Sequence, residues 1–183
     1  MTFRGFIAID IESSEKLLQI GEKIENTRAR IKPVKPENMH ITLKFLGDTE
    51  EEKIEDIEKI MKESVEDIDP FELSLEGMGV FPNQNFIKVI WAGSEPKDKS
   101  AKIANTIDEK LVSLGFKKEK RDFSPHLTIA RVKSGKDKDK ILEIINNNKQ
   151  TFFSKQKVDS IKLKKSDLTP KGPVYSTLKK VKL

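Results

Sequence analysis

The chain has 183 residues, 36% of them hydrophobic and 36% charged, with no cysteine and a formal net charge of +5. That length suits one large domain or two small lobes with a real core, and the lack of cysteine excludes disulfides, thiolate catalysis and cysteine-ligated metal. No apolar run approaches the roughly 20 residues that span a bilayer, and the N-terminus opens on strand-like residues instead of a basic stretch and an apolar segment, so a soluble cytoplasmic protein is expected.

The first strand is predicted over Phe3–Ile9. Ser13 or Ser14 can cap a helix whose Leu17, Ile20, Ile24 and, further on, Ile31 fall near helical spacing. Pro33 and Pro36 end that region and force an extended approach to His40-Ile41-Thr42-Leu43. Here Met39, Ile41, Leu43 and Phe45 are apolar while Asn38, His40, Thr42 and Lys44 are polar, the period of two that marks a half-buried strand. Gly47 is read as its end. Thr49 and Glu52 form a T-x-x-E capping box for a helix that carries Ile54, Ile57, Met61 and Val65 on one face.

Phe71, Leu73 and Leu75 alternate with Glu72, Ser74 and Glu76, and a turn at Pro82–Asn85 joins this strand to Phe86–Trp91 as a hairpin. A helix from about Asp98 carries Ile103, Ala104, Ile107, Leu111 and Leu114, with Gly115 placed to stop it. Pro125 then leads into His126-Leu127-Thr128-Ile129. Ile141, Ile144 and Ile145 mark a short helix, followed by strands around Phe152–Ser154, Val158–Leu163 and Val174–Val181.

Both halves read strand, helix, HxTx strand, helix, strand, and the two histidines lie 86 positions apart. An internal duplication is the simplest account: one bilobal domain over 1–183, built from repeats of roughly 1–80 and 81–183. Each repeat would set helices on the apolar face of a largely antiparallel sheet, which makes the fold α+β. Charge divides the chain differently. Residues 1–91 carry 12 Lys and Arg against 19 Asp and Glu, a balance of −7, and residues 92–183 carry 23 against 11, a balance of +12. Such asymmetry points to a polyanionic partner on the C-terminal half, a nucleic acid before a neutral metabolite.

The histidines are the only two in the protein, and each has threonine two positions on, hence on the same face of its strand. Imidazoles titrating near pH 6.5 can be held in one cleft as one base and one acid at neutral pH. Hydrolysis of a phosphodiester needs both, because the attacking water loses a proton while the leaving alkoxide gains one. Threonine hydroxyls are short neutral donors for the non-bridging oxygens, where charge builds in the transition state. Zinc fits less well, since catalytic zinc usually takes three protein ligands and neither motif has an adjacent carboxylate or cysteine; no metal and no cofactor are expected.

At these residues the sequence resembles the 2H phosphoesterases, and within them the RNA 2′,3′-cyclic phosphodiesterases, also called 2′-5′ RNA ligases. The resemblance runs from Phe3–Ile9 through Glu37–Gly47 and Phe123–Arg131 to the closing Ser166–Tyr175. It implies a duplicated bilobal fold, two mainly antiparallel sheets flanking a central groove with helices on the outer faces. It also implies metal-independent opening of a 2′,3′-cyclic phosphate at an RNA end to a 2′-phosphate. By position it makes His40 the proton donor to the 3′ oxygen and His126 the acceptor from water, with Thr42 and Thr128 holding the phosphate.

Arg131 matches a phosphate-contacting arginine, yet strict alternation puts it on the face opposite His126. Either the strand twists or bulges after Ala130, or Arg131 reaches around from the strand end; a surface salt bridge is the competing role. Lys44 shares the polar face with His40 and is a further candidate for phosphate or backbone contact. Phe6, Phe81 and Phe86 are read as core residues first and base-stacking residues second. The implied partner is RNA ending in a 2′,3′-cyclic phosphate, tRNA fragments among the candidates, for a monomer with no membrane and no obligate protein partner. Two other readings stand beside this one: the same site joining ends through a 2′-5′ linkage, and a non-catalytic RNA-binding module on the basic C-terminal half.

Overall fold

The computed structural model describes residues 1–183. Nine strands, β1 (Thr2–Asp10), β2 (Ile31–Pro33), β3 (His40–Glu50), β4 (Phe71–Pro82), β5 (Ile87–Glu95), β6 (His126–Val132), β7 (Phe152–Val158), β8 (Ser160–Thr169) and β9 (Gly172–Lys182), alternate with four helices. The helices are α1 (Glu15–Glu25), α2 (Ile54–Val65), α3 (Lys97–Leu111) and α4 (Lys138–Asn147). Ser14 caps α1 by accepting from the Leu17 N–H, while Ile31, read as a late helical position, belongs to β2. The capping box is not formed. Thr49 is still in β3, its hydroxyl donates to the Gly47 carbonyl, and a 3₁₀ turn over Glu51–Lys53 starts α2 instead. Gly47 does not end β3 either; at a φ of 69° it sits inside the strand, in a conformation that glycine adopts without a steric penalty.

Every strand pairs antiparallel within one sheet, in the order β7-β4-β5-β6-β3-β1-β8-β9, with β2 beside β6. The expected pair of separate sheets is therefore one continuous sheet, although its join is narrow. β3 and β6 meet only at Ile41 and Leu127. The reason lies in the approach: residues 31–34 occupy the edge of β6 from Val132 to Ile129, then a 3₁₀ turn over Pro36–Asn38 lifts the chain off before it returns at Ile41. The two flanks draw on both predicted repeats, since β8 and β9 lie beside β1 while β4 pairs with β5 and β7.

Helices cover the apolar side. α1 turns Leu17, Ile20 and Ile24 into the core against β2, β6 and β7, and α2 packs on α3 and β9. Fully buried aliphatic side chains of this kind are worth about 1.5–3 kcal/mol each, which is why the apolar stripe, more than intrinsic propensity, fixes the short helices. No helix is long and apolar enough to cross a membrane.

Two equivalent irregularities matter for the site. On β3, Ile7 pairs with Lys44 and Ala8 with Thr42, which leaves Leu43 as an extra residue; on β6, Ile90 pairs with Ala130 and Trp91 with Thr128, which leaves Ile129. Each is a bulge one residue past an HxT, and each reverses the inward and outward parity of the residues beyond it.

Candidate active site

The pairing of Ile41 with Leu127 determines the geometry of the centre. Carried one residue either way in an antiparallel register, it sets His40 opposite Thr128 and Thr42 opposite His126. Ile41 and Leu127 are fully buried, so the four polar side chains share the other face, where each is half-buried. They form a two-by-two block with the histidines on one diagonal and the threonines on the other, diagonal backbones being roughly 7–8 Å apart.

Both imidazoles are held alike. His40 Nδ1 lies 2.7 Å from the Asn38 carbonyl oxygen, and His126 Nδ1 lies 2.7 Å from that of Ser124. A carbonyl only accepts, so Nδ1 carries the hydrogen in each ring and Nε2 is left for chemistry. Aromatic side chains flank both: Phe6 and Tyr175 at 4.9 and 5.3 Å from His40, Phe81 and Trp91 at 5.0 and 6.3 Å from His126. The sequence does not announce these pairs, since they come from β1, β4, β5 and β9; only Phe6 and Phe81 are among the aromatic candidates.

Burial holds both imidazoles below their usual range. At His40 the Asn38 bond opposes this, the Lys164 cation reinforces it, Asp10 opposes and Arg131 reinforces; at His126 the Ser124 bond opposes and Arg131 reinforces. Asp10 lies opposite His40 in the β1–β3 register. Burial alone would raise its carboxyl, but hydrogen bonds from Lys162 and Lys164, at 2.5 and 2.6 Å, hold it below the usual carboxylate range. Tyr175 is pushed up by burial, against the pull of Arg131 and Arg4.

The bulges decide the two basic candidates in opposite senses. Past Ile129, Ala130 turns inward and Arg131 turns out to the face of His126, where its charge acts on both histidines and on Tyr175. The strand does bulge, but at Ile129, before Ala130 and not after it. Past Leu43, the same reversal sends Lys44 inward. Its ammonium meets Asp108 at 2.5 Å, the Lys117 carbonyl at 2.7 Å and Glu119 at 3.3 Å, away from His40. Lys44 is therefore corrected from a phosphate candidate to a buried ion-pair residue. The position matching Arg131 on β3 is Phe45, 64% exposed.

The Trp91 indole packs against Gly79, where an added Cβ would stand 2.1 Å from an indole carbon. Gly79→Ala is expected to displace the ring from His126 and to cost about 1–3 kcal/mol, a fall in Tm of roughly 2–12 °C. As Trp91 is the only tryptophan, its emission should shift with the loss of stability; unchanged emission and Tm would show that the packing is not tight.

A sheet that sets two HxTx motifs in one block, with both rings held through Nδ1 in the same way, defines a protein of the two-histidine, or 2H, class. The chain belongs to the 2′-5′ RNA ligase superfamily, whose family model matches residues 13–169. It is 42% identical over 178 residues to a Methanocaldococcus jannaschii protein named RNA 2′,3′-cyclic phosphodiesterase, covering 96% of this chain and 98% of that one. A protein of the same name from Methanothermobacter thermautotrophicus is 36% identical over 185 residues, covering both chains completely. Among solved structures, TT0787 of Thermus thermophilus superposes with a TM-score of 0.79 at 28% identity over 98% of this chain and 97% of that one. LigT of E. coli, solved with 3′-AMP, gives 0.75 at 23% over 100% and 99%, a likeness of fold.

Proposed function

We propose that this protein is an RNA 2′,3′-cyclic phosphodiesterase that opens the ring to a 2′-phosphate without a metal. The observation that carries this reading is the two-by-two block, which offers two free imidazole nitrogens on one diagonal and two hydroxyls on the other. The names of the full-length relatives support the same substrate.

A cyclic phosphate seated over the block takes donors from Thr42 and Thr128 on its non-bridging oxygens, with Arg131 adding charge from the end of the bulge. Water bonds to phosphorus as its proton passes to Nε2 of His126. The bond from phosphorus to O3′ breaks as O3′ takes the proton from Nε2 of His40, and the 2′-phosphate monoester remains. Burial favours the neutral imidazole, as the base requires; for the acid, the anionic phosphate favours the protonated ring when it binds. The donor set supports a metal-free route, because no group of three His, Cys, Asp or Glu is clustered and Asp10 already gives both oxygens to lysines. In this reading the join at Ile41 and Leu127 is the floor of a groove between two half-sheets, helices being on the far side.

The test is incubation in excess EDTA with a short RNA ending in a 2′,3′-cyclic phosphate, with resolution of the product ends. A 2′-phosphate is expected. A 3′-phosphate would mean that O2′ leaves, and an intact ring would remove the proposal.

A further inference from the structure

Part of the charge asymmetry of the sequence is paired off in the fold. Lys179 bridges Glu55 and Glu58, Lys110 meets Glu63, Lys155 meets Glu72, and Lys162 and Lys164 share Asp10. Of the cations that form no ion pair, four converge. Lys88, Arg131, Lys133 and Lys138 have no carboxylate within ion-pair distance, and all four line one cleft of about 490 Å³, a volume typical of ligand sites.

The cleft lies between the turn joining β4 to β5 and the loop joining β6 to α4. Phe86 stands at its rim, 60% exposed. The turn that carries it is braced, since the Asn83 side-chain oxygen accepts from the Asn85 and Phe86 N–H groups at 3.0 Å each, and the Lys88 ammonium lies 5.1 Å from the ring centroid. Arg131 belongs to both the cleft and the histidine face, so the two are continuous. The far end of β6 is six residues beyond His126, roughly 20 Å along a strand, farther than a mononucleotide held by its phosphate at the histidines extends. Unpaired cations around an exposed aromatic ring are the combination that holds a single-stranded polynucleotide, phosphates on the cations and a base on the ring.

We propose that this cleft binds the RNA segment preceding the reactive end, with its phosphates on Lys88, Lys133 and Lys138 and a base stacked on Phe86. The inference rests on the phosphodiesterase reading and adds to it a preference for oligonucleotides over cyclic mononucleotides. An acidic peptide would satisfy the lysines without needing Phe86, and the test separates the two.

The experiment compares kcat/KM on 2′,3′-cyclic AMP and on a hexanucleotide ending in a 2′,3′-cyclic phosphate, for the unmodified protein, Phe86→Ala and the double variant K88A/K133A. The unmodified protein should prefer the hexanucleotide. Phe86→Ala should lower its kcat/KM roughly tenfold or more. K88A/K133A should also lower it, and should make its dependence on the logarithm of salt concentration shallower by about 1.4. Turnover of cyclic AMP should not change, which also shows that the variants fold. Equal losses on both substrates, or an undiminished preference, would overturn the inference.

Turnover of neither substrate by the unmodified protein would remove the phosphodiesterase reading but not the cleft. Fluorescence anisotropy with a 5′-labelled hexanucleotide then decides: weaker binding by the cleft variants but not by His40→Ala supports the cleft. Equal binding by all, or displacement of the RNA by polyglutamate but not by poly(U), overturns it.

Discussion

Replacement of His40 or His126 by alanine is expected to lower kcat/KM on an RNA 2′,3′-cyclic phosphate by about 10²–10⁴ in each case, the usual worth of a positioned acid or base. Because the two act in one step, the double variant should lose little more than the worse single one. RNA binding should survive, since the cations and hydroxyls remain. Thermal unfolding serves as the control for folding, as both rings are half-buried between aromatic side chains. Near-normal turnover in either variant would eliminate the paired mechanism, whereas salt-dependent RNA affinity without turnover, unchanged in both variants, would favour the binding-module reading.

The pH profile should carry the same signature. One imidazole must be neutral and the other protonated, so kcat/KM should rise as the base loses its proton and fall as the acid loses its own. Both rings are held below their ordinary value of 6.5 by burial, and Arg131 pushes both the same way. The optimum of the bell should therefore lie on the acid side of pH 6.5, its limbs belonging to the pair and not to either residue. A profile flat from pH 5 to 8 would show that the histidines do not titrate in the rate-determining step. Neutralising Arg131, as in Arg131→Gln, should move the bell toward higher pH.

The features legible in the sequence are those that alternate. The period of two locates β3 and β4, the histidine spacing locates β6, and the Ser14 cap and the stripe Leu17, Ile20, Ile24 locate α1. The two bulges cannot be read in the same way, because one extra residue alters no composition. They nevertheless invert Lys44 and Arg131, the two cations whose roles were at issue. A trace exists at one of them: Ile129 and Ala130 are adjacent apolar residues in a strand that otherwise alternates, as a bulge requires when both face the core. At the other, Leu43 and Lys44 keep the alternation intact, and only the carboxylate of Asp108, 64 residues away in sequence, shows why a lysine can turn inward. The aromatic flanks of the histidines are hidden for the same reason, as Tyr175 and Trp91 reach the site through strand order. The charge split is partly offset in the fold, because β8 and β9 return to the acidic N-terminal half, where Lys162 and Lys164 meet Asp10 and Lys179 meets Glu55 and Glu58.

Lys44 also gives the larger stability prediction. Its side chain is 2% exposed and that of Asp108 12%, so an ammonium and a carboxylate have both left water and depend on each other. The pair ties three segments together: β3 through Lys44, α3 through Asp108, and the loop after α3, whose Lys117 carbonyl accepts from Lys44 and whose Glu119 N–H donates to Asp108. Asp108→Ala strips the carboxylate from a buried cation and orphans the Glu119 N–H. A loss of about 3–5 kcal/mol is expected, or roughly 6–20 °C in Tm. Joint replacement of both partners by apolar residues, as in K44M/D108L, should recover much of it, because desolvating the pair offsets most of its attraction. Urea unfolding of the single and double variants gives the coupling directly, and a loss below about 1 kcal/mol in Asp108→Ala would mean that the ammonium finds water or Glu119 instead. The same variants settle the chemistry of the face. If the bulge at Leu43 turns Lys44 away from the phosphate, K44M/D108L should keep kcat/KM within a few fold of the unmodified protein, while a drop comparable to that of His40→Ala would place Lys44 back at the site.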